Sequence, residues 1–302
     1  MKWRIFCLLL LVLSPTLGHA ADEEIRADLH EQVVQIPVRI EGLFGAKDVN
    51  LTATIYRPDG DGPFPLVVLS HGTPPHPSER VKIGRFRRLP QIHEFIKRGF
   101  AVIVPMRRGH GATGGDYVED KGKCASPVYY EAGRAAGKDI SAAIDYALKL
   151  PYVNPDCMIL VGQSSGGFAS LAAASMNPKG LIAAVNFSGG HGGDPATRPG
   201  EPCDPQSLTA AIAKFSQTIK VPVLWHYAEN DKFFATRHVR TWYEAFEKAG
   251  GKGRLVIQPA FGQDGHSLFN SKEGIPIWTR AVDSFIKDFD VGGGKCGIKI
   301  NR

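Results

Sequence analysis

Two hydrophobic patterns divide the chain. Residues 32–42 (QVVQIPVRIEG) and 49–57 (VNLTATIYR) alternate polar and apolar side chains, as antiparallel strands with one solvated face do. From residue 64 onward the strands read differently. Residues 64–70 (FPLVVLS), 100–105, the run Met158-Ile159-Leu160-Val161, and 181–187 are continuous apolar stretches, and 221–227 and 254–258 complete the set. Runs of this kind belong to strands covered on both faces. Helical spacing fills the gaps between them. A helix at 89–98 is stopped by Gly99, and a second carries Ile140, Ala143, Ile144, Ala147 and Leu148 on one face. Others carry Phe168 to Ala174; Leu208, Ile212 and Phe215 behind an Asp204-Pro205 cap; Val239, Trp242 and Phe246; and Trp278, Val282, Phe285, Ile286 and Phe289. Antiparallel strands followed by buried strands alternating with helices predict one α/β domain over residues 21–302, a mostly parallel central sheet with helices on both faces. No linker divides it and no repeat appears. No G-x-G-x-x-G or P-loop follows an early strand, which weakens a nucleotide-binding reading.

The first 20 residues stand outside that scheme. Lys2 and Arg4 give a positive start, residues 5–13 an apolar core, and Gly18-His19-Ala20 the small residues of a cleavage site. This is the form of a signal peptide, removed after Ala20, and it predicts export to the periplasm or the medium. The apolar run is too short for a lasting bilayer span, and Cys7 lacks a lipoprotein context, so no stable membrane anchor is expected. The whole chain has a net charge of +6. Loss of Lys2 and Arg4 leaves 6 − 2 = +4. The basic residues are scattered apart from those between Arg80 and Arg88, and no nucleic-acid motif accompanies them.

The chemistry is concentrated after residue 158. Gly162-Gln163-Ser164-Ser165-Gly166 is a G-x-S-x-G preceded by a strand and followed by a helix. Glycine is 34 of 302 residues, so the pentapeptide alone would arise by chance roughly 0.2 times in a chain of this length. The strand-turn-helix context makes it a nucleophile elbow. A serine needs a base, and the base an orienting carboxylate. In α/β sheets working groups gather at the carboxyl ends of strands. After 221–227 comes Ala228-Glu229-Asn230-Asp231, and after 254–258 comes a loop ending Asp264-Gly265-His266. Ser164 as nucleophile, Asp231 as orienting acid and His266 as base follow, with Glu229 the rival to Asp231. His71, His110, His191, His226 and His238 fit less well, lying in loops, inside a strand or on a helix. Two donors are needed for the developing oxyanion. The Ser165 N–H is one. In His71-Gly72-Thr73-Pro74-Pro75 the prolines lack an N–H, so Thr73 is the other.

His71-Gly72, Arg108-Gly109-His110-Gly111, the Gly162 to Gly167 stretch, Asp231 and Asp264-Gly265-His266 together resemble the α/β-hydrolase superfamily. More narrowly the chain is similar to exported serine hydrolases of the dienelactone hydrolase-like and prolyl oligopeptidase-like group, over about residues 49–289. The resemblance implies an α/β-hydrolase fold and a serine hydrolase acting on a small-molecule carboxylic ester (EC 3.1.1 type) through an acyl-enzyme, with no metal or organic cofactor. Dienelactone hydrolases proper carry cysteine where this chain has Ser164, which turns the expectation from dienelactone toward other esters. A small serine peptidase and a catalytically silent binding protein on the same fold are the alternatives. Arg80, Lys82, Arg85, Arg87 and Arg88 follow the oxyanion loop and Arg107 and Arg108 the next strand, which would either place them at the site's mouth, to favour substrates with an anionic or strongly polar part, or leave them as a solvated basic face. Four cysteines remain after export, enough for two disulfides in an oxidising compartment. Cys124 and Cys203 follow carboxyl ends of strands, whereas Cys157 begins a strand and Cys296 follows the last, returning helix. Pairing within one end of the sheet predicts Cys124–Cys203 and Cys157–Cys296.

Overall fold

The computed structural model describes residues 24–42 and 45–300; the signal sequence and Cys7 lie outside these residues. Strands β1 (Gln32–Gly42) and β2 (Gly45–Tyr56) form an antiparallel pair, and β3 (Phe64–Ser70) is the first strand buried along nearly its whole length. A short helix α1 (Pro77–Arg80) and α2 (Leu89–Lys97) lead to β4 (Ala101–Pro105). Then come α3 (Tyr129–Ala147), β5 (Val153–Gln163), α4 (Ser165–Ala174) and β6 (Leu181–Phe187). The chain closes with α5 (Pro205–Ser216), β7 (Val223–Ala228), α6 (Thr236–Lys248), β8 (Gly253–Gln258) and α7 (Ile275–Asp288).

The eight strands among the described residues belong to one sheet, ordered β1-β2-β4-β3-β5-β6-β7-β8. β2 runs antiparallel to β1 and β4, and every pairing from β4 through β8 is parallel. The expected fold class, a mostly parallel sheet with helices on both faces, is what the chain adopts. The reason lies in the pleat. In β3, Leu66 and Val68 face one helical layer while Val67 and Leu69 face the other; β5 divides in the same way, Met158 and Leu160 against Ile159 and Val161. Successive side chains alternate between faces, so only unbroken apolar runs satisfy both layers. One layer is built from α3, α4, α5 and α6, the other from α2 and α7. α4 lies deepest, with all ten residues buried, which explains a composition of serine, glycine, alanine, leucine and a single phenylalanine.

Three arginines are carried into the interior with carboxylates. Arg98 pairs with Asp283 at 2.7 Å, Arg107 with Glu119 and Arg108 with Asp139. The last two correct the expectation that Arg107 and Arg108 stand at the mouth. Both side chains are nearly fully buried and neutralised, Arg107 by Glu119 of the loop after β4 and Arg108 by Asp139 of α3. Such pairs fix loop positions; breaking one is costly because it leaves a buried charge uncompensated.

Candidate active site

Ser164 occupies the sharp turn between β5 and α4. Its backbone is at φ 57° and ψ −127°, a conformation that non-glycine residues rarely adopt. The turn is held from outside: Ser164 N donates to the Phe187 carbonyl at 3.0 Å, and the Ser164 carbonyl accepts from Gly190 N at 3.2 Å. The flanking glycines are required by contact. A Cβ on Gly162 would run into the Gly166 carbonyl, and one on Gly166 into the carbonyls of Ser70 and His71. The elbow therefore closes only with glycine at both positions.

His266 sits in a one-turn helix after β8, and Asp231 in the turn after β7. The His266 Nδ1 lies 3.0 and 3.1 Å from the two Asp231 oxygens. Asp231 is buried, and its Oδ1 also accepts from the amides of Phe233 at 2.8 Å and Phe234 at 3.0 Å. Glu229, the rival carboxylate, is exposed. Phe233 stacks on the His266 ring with centroids 4.0 Å apart. Asp264 ties the two loops together, its Oδ1 accepting from Lys232 N at 2.9 Å and His266 N at 3.0 Å. Asn230 does the same from the other side, accepting from Phe261 N and donating to the Phe261 and Gly262 carbonyls. Sequence reasoning missed Phe233, Asn230 and the tethering role of Asp264. Polar residues in turns are common, and only the fold brings these two loops side by side.

Ser164 and His266 line the same cavity, of about 540 Å³, together with Gly72, Thr73, Gln163 and Phe233. Among the described residues no hydrogen bond joins Ser164 Oγ to His266. A free site commonly shows such looseness and tightens with substrate. A second cavity, of about 280 Å³, also reaches Ser164 and includes Thr73, Ser165, Arg80, Tyr117 and both Cys124 and Cys203. Thr73 and Ser165 are brought together, the Ser165 hydroxyl donating to the Thr73 hydroxyl at 2.7 Å. Neither the Thr73 nor the Ser165 backbone N–H donates a hydrogen bond among the described residues, so both remain available to a ligand.

The basic residues after the Thr73 loop are divided. Arg85 and Arg87 line the larger cavity, yet both are bonded to the buried Glu31, at 2.7 and 2.6 Å. Burial works against the Glu31 anion, but these two guanidinium groups with the Arg26 amide and the Tyr56 hydroxyl outweigh it and bring its pKa down to about 2. Arg80 reaches the smaller cavity and lies over the Tyr117 ring at 3.9 Å. Lys82 is exposed and lines neither. The cysteine sulfurs pair as expected: Cys124 with Cys203 at 2.02 Å beside the site, and Cys157 with Cys296 at 1.98 Å at the opposite end of β5. No group of three or more His, Cys, Asp or Glu side chains is placed to hold a metal ion among the described residues, and no described helix is long and apolar enough to cross a membrane.

Residues 87–287, more than half of the chain, match the dienelactone hydrolase family. The chain belongs to that family. Among curated proteins it is similar to the quorum-quenching protein AidA of Acinetobacter baumannii (strain MDR-ZJ06), 27% identical over 154 residues. That match takes in 51% of this chain and 44% of AidA, so the chain spans less than half of that relative's length. Among solved structures it resembles the esterase Pf2001 of Pyrococcus furiosus, with a TM-score of 0.59 and 16% identity over 89% of this chain and 95% of that one. The acylaminoacyl peptidase of Pyrococcus horikoshii gives a TM-score of 0.56 at 15% identity, covering 85% of this chain and 42% of that one. At such identities these two likenesses speak for the fold. Membership of the family and these likenesses agree on an α/β-hydrolase fold.

Proposed function

We propose that the protein is a serine hydrolase that cleaves carboxylic esters through an acyl-enzyme, with Ser164, His266 and Asp231 as its triad. One observation carries the reading: a serine on a strained elbow shares a cavity with a histidine whose far nitrogen is bonded to a buried carboxylate. Ser164 Oγ attacks the ester carbonyl while His266 Nε2 takes its proton. Asp231, bonded to Nδ1, fixes the tautomer that leaves Nε2 free and stabilises the imidazolium. The Thr73 and Ser165 N–H groups receive the oxyanion. His266 then protonates the departing alcohol, and water, activated by the same imidazole, releases the acid. The reaction as written draws on the triad side chains, two backbone N–H groups and water. A serine at this position departs from the cysteine of dienelactone hydrolases proper, which favours ordinary esters over dienelactone.

The paired cysteines suit an exported protein, and we infer that residues 1–20 are its signal peptide. A peptidase reading draws on the likeness to acylaminoacyl peptidase, which is one of fold. Assay of p-nitrophenyl esters and peptide anilides with wild type and Ser164→Ala tests the proposal. We expect ester turnover in the wild type and a loss of about 10⁴-fold or more in the variant, with its folding intact. If Ser164→Ala keeps a tenth of the activity, the assignment is wrong. Labelling by a fluorophosphonate with cleavage of peptides alone would favour the peptidase. A wild type that neither labels nor turns over would favour a silent binding protein.

A further inference from the structure

A chain of polar groups runs behind the site, and the reaction above leaves it without a role. Ser165 Oγ donates to Thr73 Oγ1 at 2.7 Å; Thr73 Oγ1 lies 3.0 Å from His110 Nε2; and His110 Nδ1 lies 3.2 Å from the Arg107 carbonyl. The proton positions can be deduced. A carbonyl only accepts, so His110 Nδ1 carries hydrogen. The ring is fully buried, and burial pushes its pKa below the usual histidine range, with Glu119 opposing and Arg107 reinforcing. The ring is therefore neutral and its Nε2 is bare. The Thr73 hydroxyl gives its single proton to that nitrogen and keeps its lone pairs for Ser165 and the Tyr117 hydroxyl. Every link then has one direction.

The far end of the chain is rigid. Arg107 N donates to His71 Nε2 at 3.2 Å, its Nη1 donates to the His71 carbonyl at 2.9 Å, and its guanidinium is held by the buried Glu119. At the near end only the neighbours of Thr73 are tied through their main chain: His71 Nδ1 donates to the Gly72 carbonyl at 2.8 Å, and Arg80 donates to the Pro74 and Pro75 carbonyls at 3.3 and 3.2 Å. Thr73 stands between Gly72 and two prolines, and among the described residues its main chain makes no hydrogen bond. Its side chain supplies its polar tether. A backbone donor must point where the oxyanion forms, and here the pointing is delegated to a hydroxyl.

We propose that His110 is a positioning residue of the oxyanion hole, holding the Thr73 hydroxyl and through it the Thr73 backbone N–H and the start of α4. The inference rests on the assignment of the Thr73 and Ser165 N–H groups proposed above.

Thr73→Val keeps shape and N–H but cuts the chain; Thr73→Ser keeps the hydroxyl; His110→Phe removes the acceptor. Each is measured for kcat and KM on p-nitrophenyl acetate, for inhibition by a trifluoromethyl ketone (whose adduct carries the oxyanion), and for thermal unfolding. Losing an oxyanion donor outright costs roughly 10²–10³ in kcat, and a donor left loose should cost about tenfold. We expect Thr73→Val to lose about tenfold in kcat and in ketone affinity alike, with KM within about threefold and Thr73→Ser close to wild type. The double variant of Thr73→Val and His110→Phe should be no worse than the poorer single, since both cut one chain. If His110→Phe fails to fold, the comparison of Val with Ser at residue 73 still decides. Wild-type kcat and ketone affinity in Thr73→Val overturn the inference, as do losses confined to KM or losses that multiply in the double variant. Ser164→Ala run in parallel separates the two claims. If it is inactive while Thr73→Val is normal, only the positioning role falls. If Ser164→Ala is active, the triad falls and the inference with it.

Discussion

Replacing Asp231 by asparagine changes one atom and ought to reverse the polarity of the site. Oδ1 of Asp231 accepts two amide hydrogens, from Phe233 at 2.8 Å and Phe234 at 3.0 Å. In Asp231→Asn the side-chain oxygen must stay at that corner, because an NH₂ there would face two donors. The amide nitrogen is then forced into the place of Oδ2, 3.0 Å from His266 Nδ1. A donor now faces a ring nitrogen that had been donating. The imidazole responds by moving its proton to Nε2, where it can no longer accept from Ser164. The loss expected for a triad held in the wrong tautomer is about 10⁴-fold in kcat at neutral pH, or about 5.5 kcal/mol of barrier. Binding should be spared, since the acid does not line either cavity. Steady-state hydrolysis of p-nitrophenyl acetate, with circular dichroism to confirm folding, measures it. Glu229→Gln is the internal control, because that carboxylate is exposed, and it should stay near wild type. A folded Asp231→Asn enzyme retaining more than a tenth of kcat, or a collapse on Glu229→Gln, would refute the assignment of the orienting acid.

Other outcomes follow from the same geometry. Gly166→Ala should lose soluble yield and thermal stability, by the 1–3 kcal/mol or more that overpacking costs, since its Cβ meets the carbonyls of Ser70 and His71; an unfolding midpoint equal to wild type would contradict this. His191 and His226 are both buried, and burial pushes each pKa down to about 4. The unfolded chain takes up these protons near pH 6.5 and the folded chain does not until about pH 4. Stability from both is therefore full above pH 6.5 and lost as the pH falls toward 4, by up to about 3 kcal/mol each. Urea unfolding at pH 7.5 and 5 should show the drop, and His226→Gln should shrink it. Non-reducing peptide mapping of exported protein should yield Cys124–Cys203 and Cys157–Cys296 peptides; a Cys124–Cys157 peptide would disprove the pairing.

Much of this protein is legible in its sequence for a physical reason. Strands buried on both faces tolerate only apolar side chains, so 64–70 and 158–161 announce their own environment. The elbow can close only with glycine at 162 and 166, so Ser164 is marked locally. Strand ends gather ligand-facing loops, so Asp231 and His266 can be chosen without knowing their distance. The cysteine pairs follow from which end of the sheet each loop leaves.

The tertiary structure alone decided the rest. Nothing in Arg107-Arg108 distinguishes a solvated basic patch from two buried cations, because the partners, Glu119 and Asp139, lie 12 and 31 residues away. Arg85 and Arg87 face the cavity in sequence order, but Glu31, from before β1, claims both. The stacking of Phe233 on His266, and the link from Ser165 through Thr73 to His110, join residues 33 and up to 92 positions apart. A run of apolar side chains records its own burial; a charged or polar one does not. Which charge or hydroxyl it meets is fixed by how the loops cross above the sheet, and local sequence does not encode that.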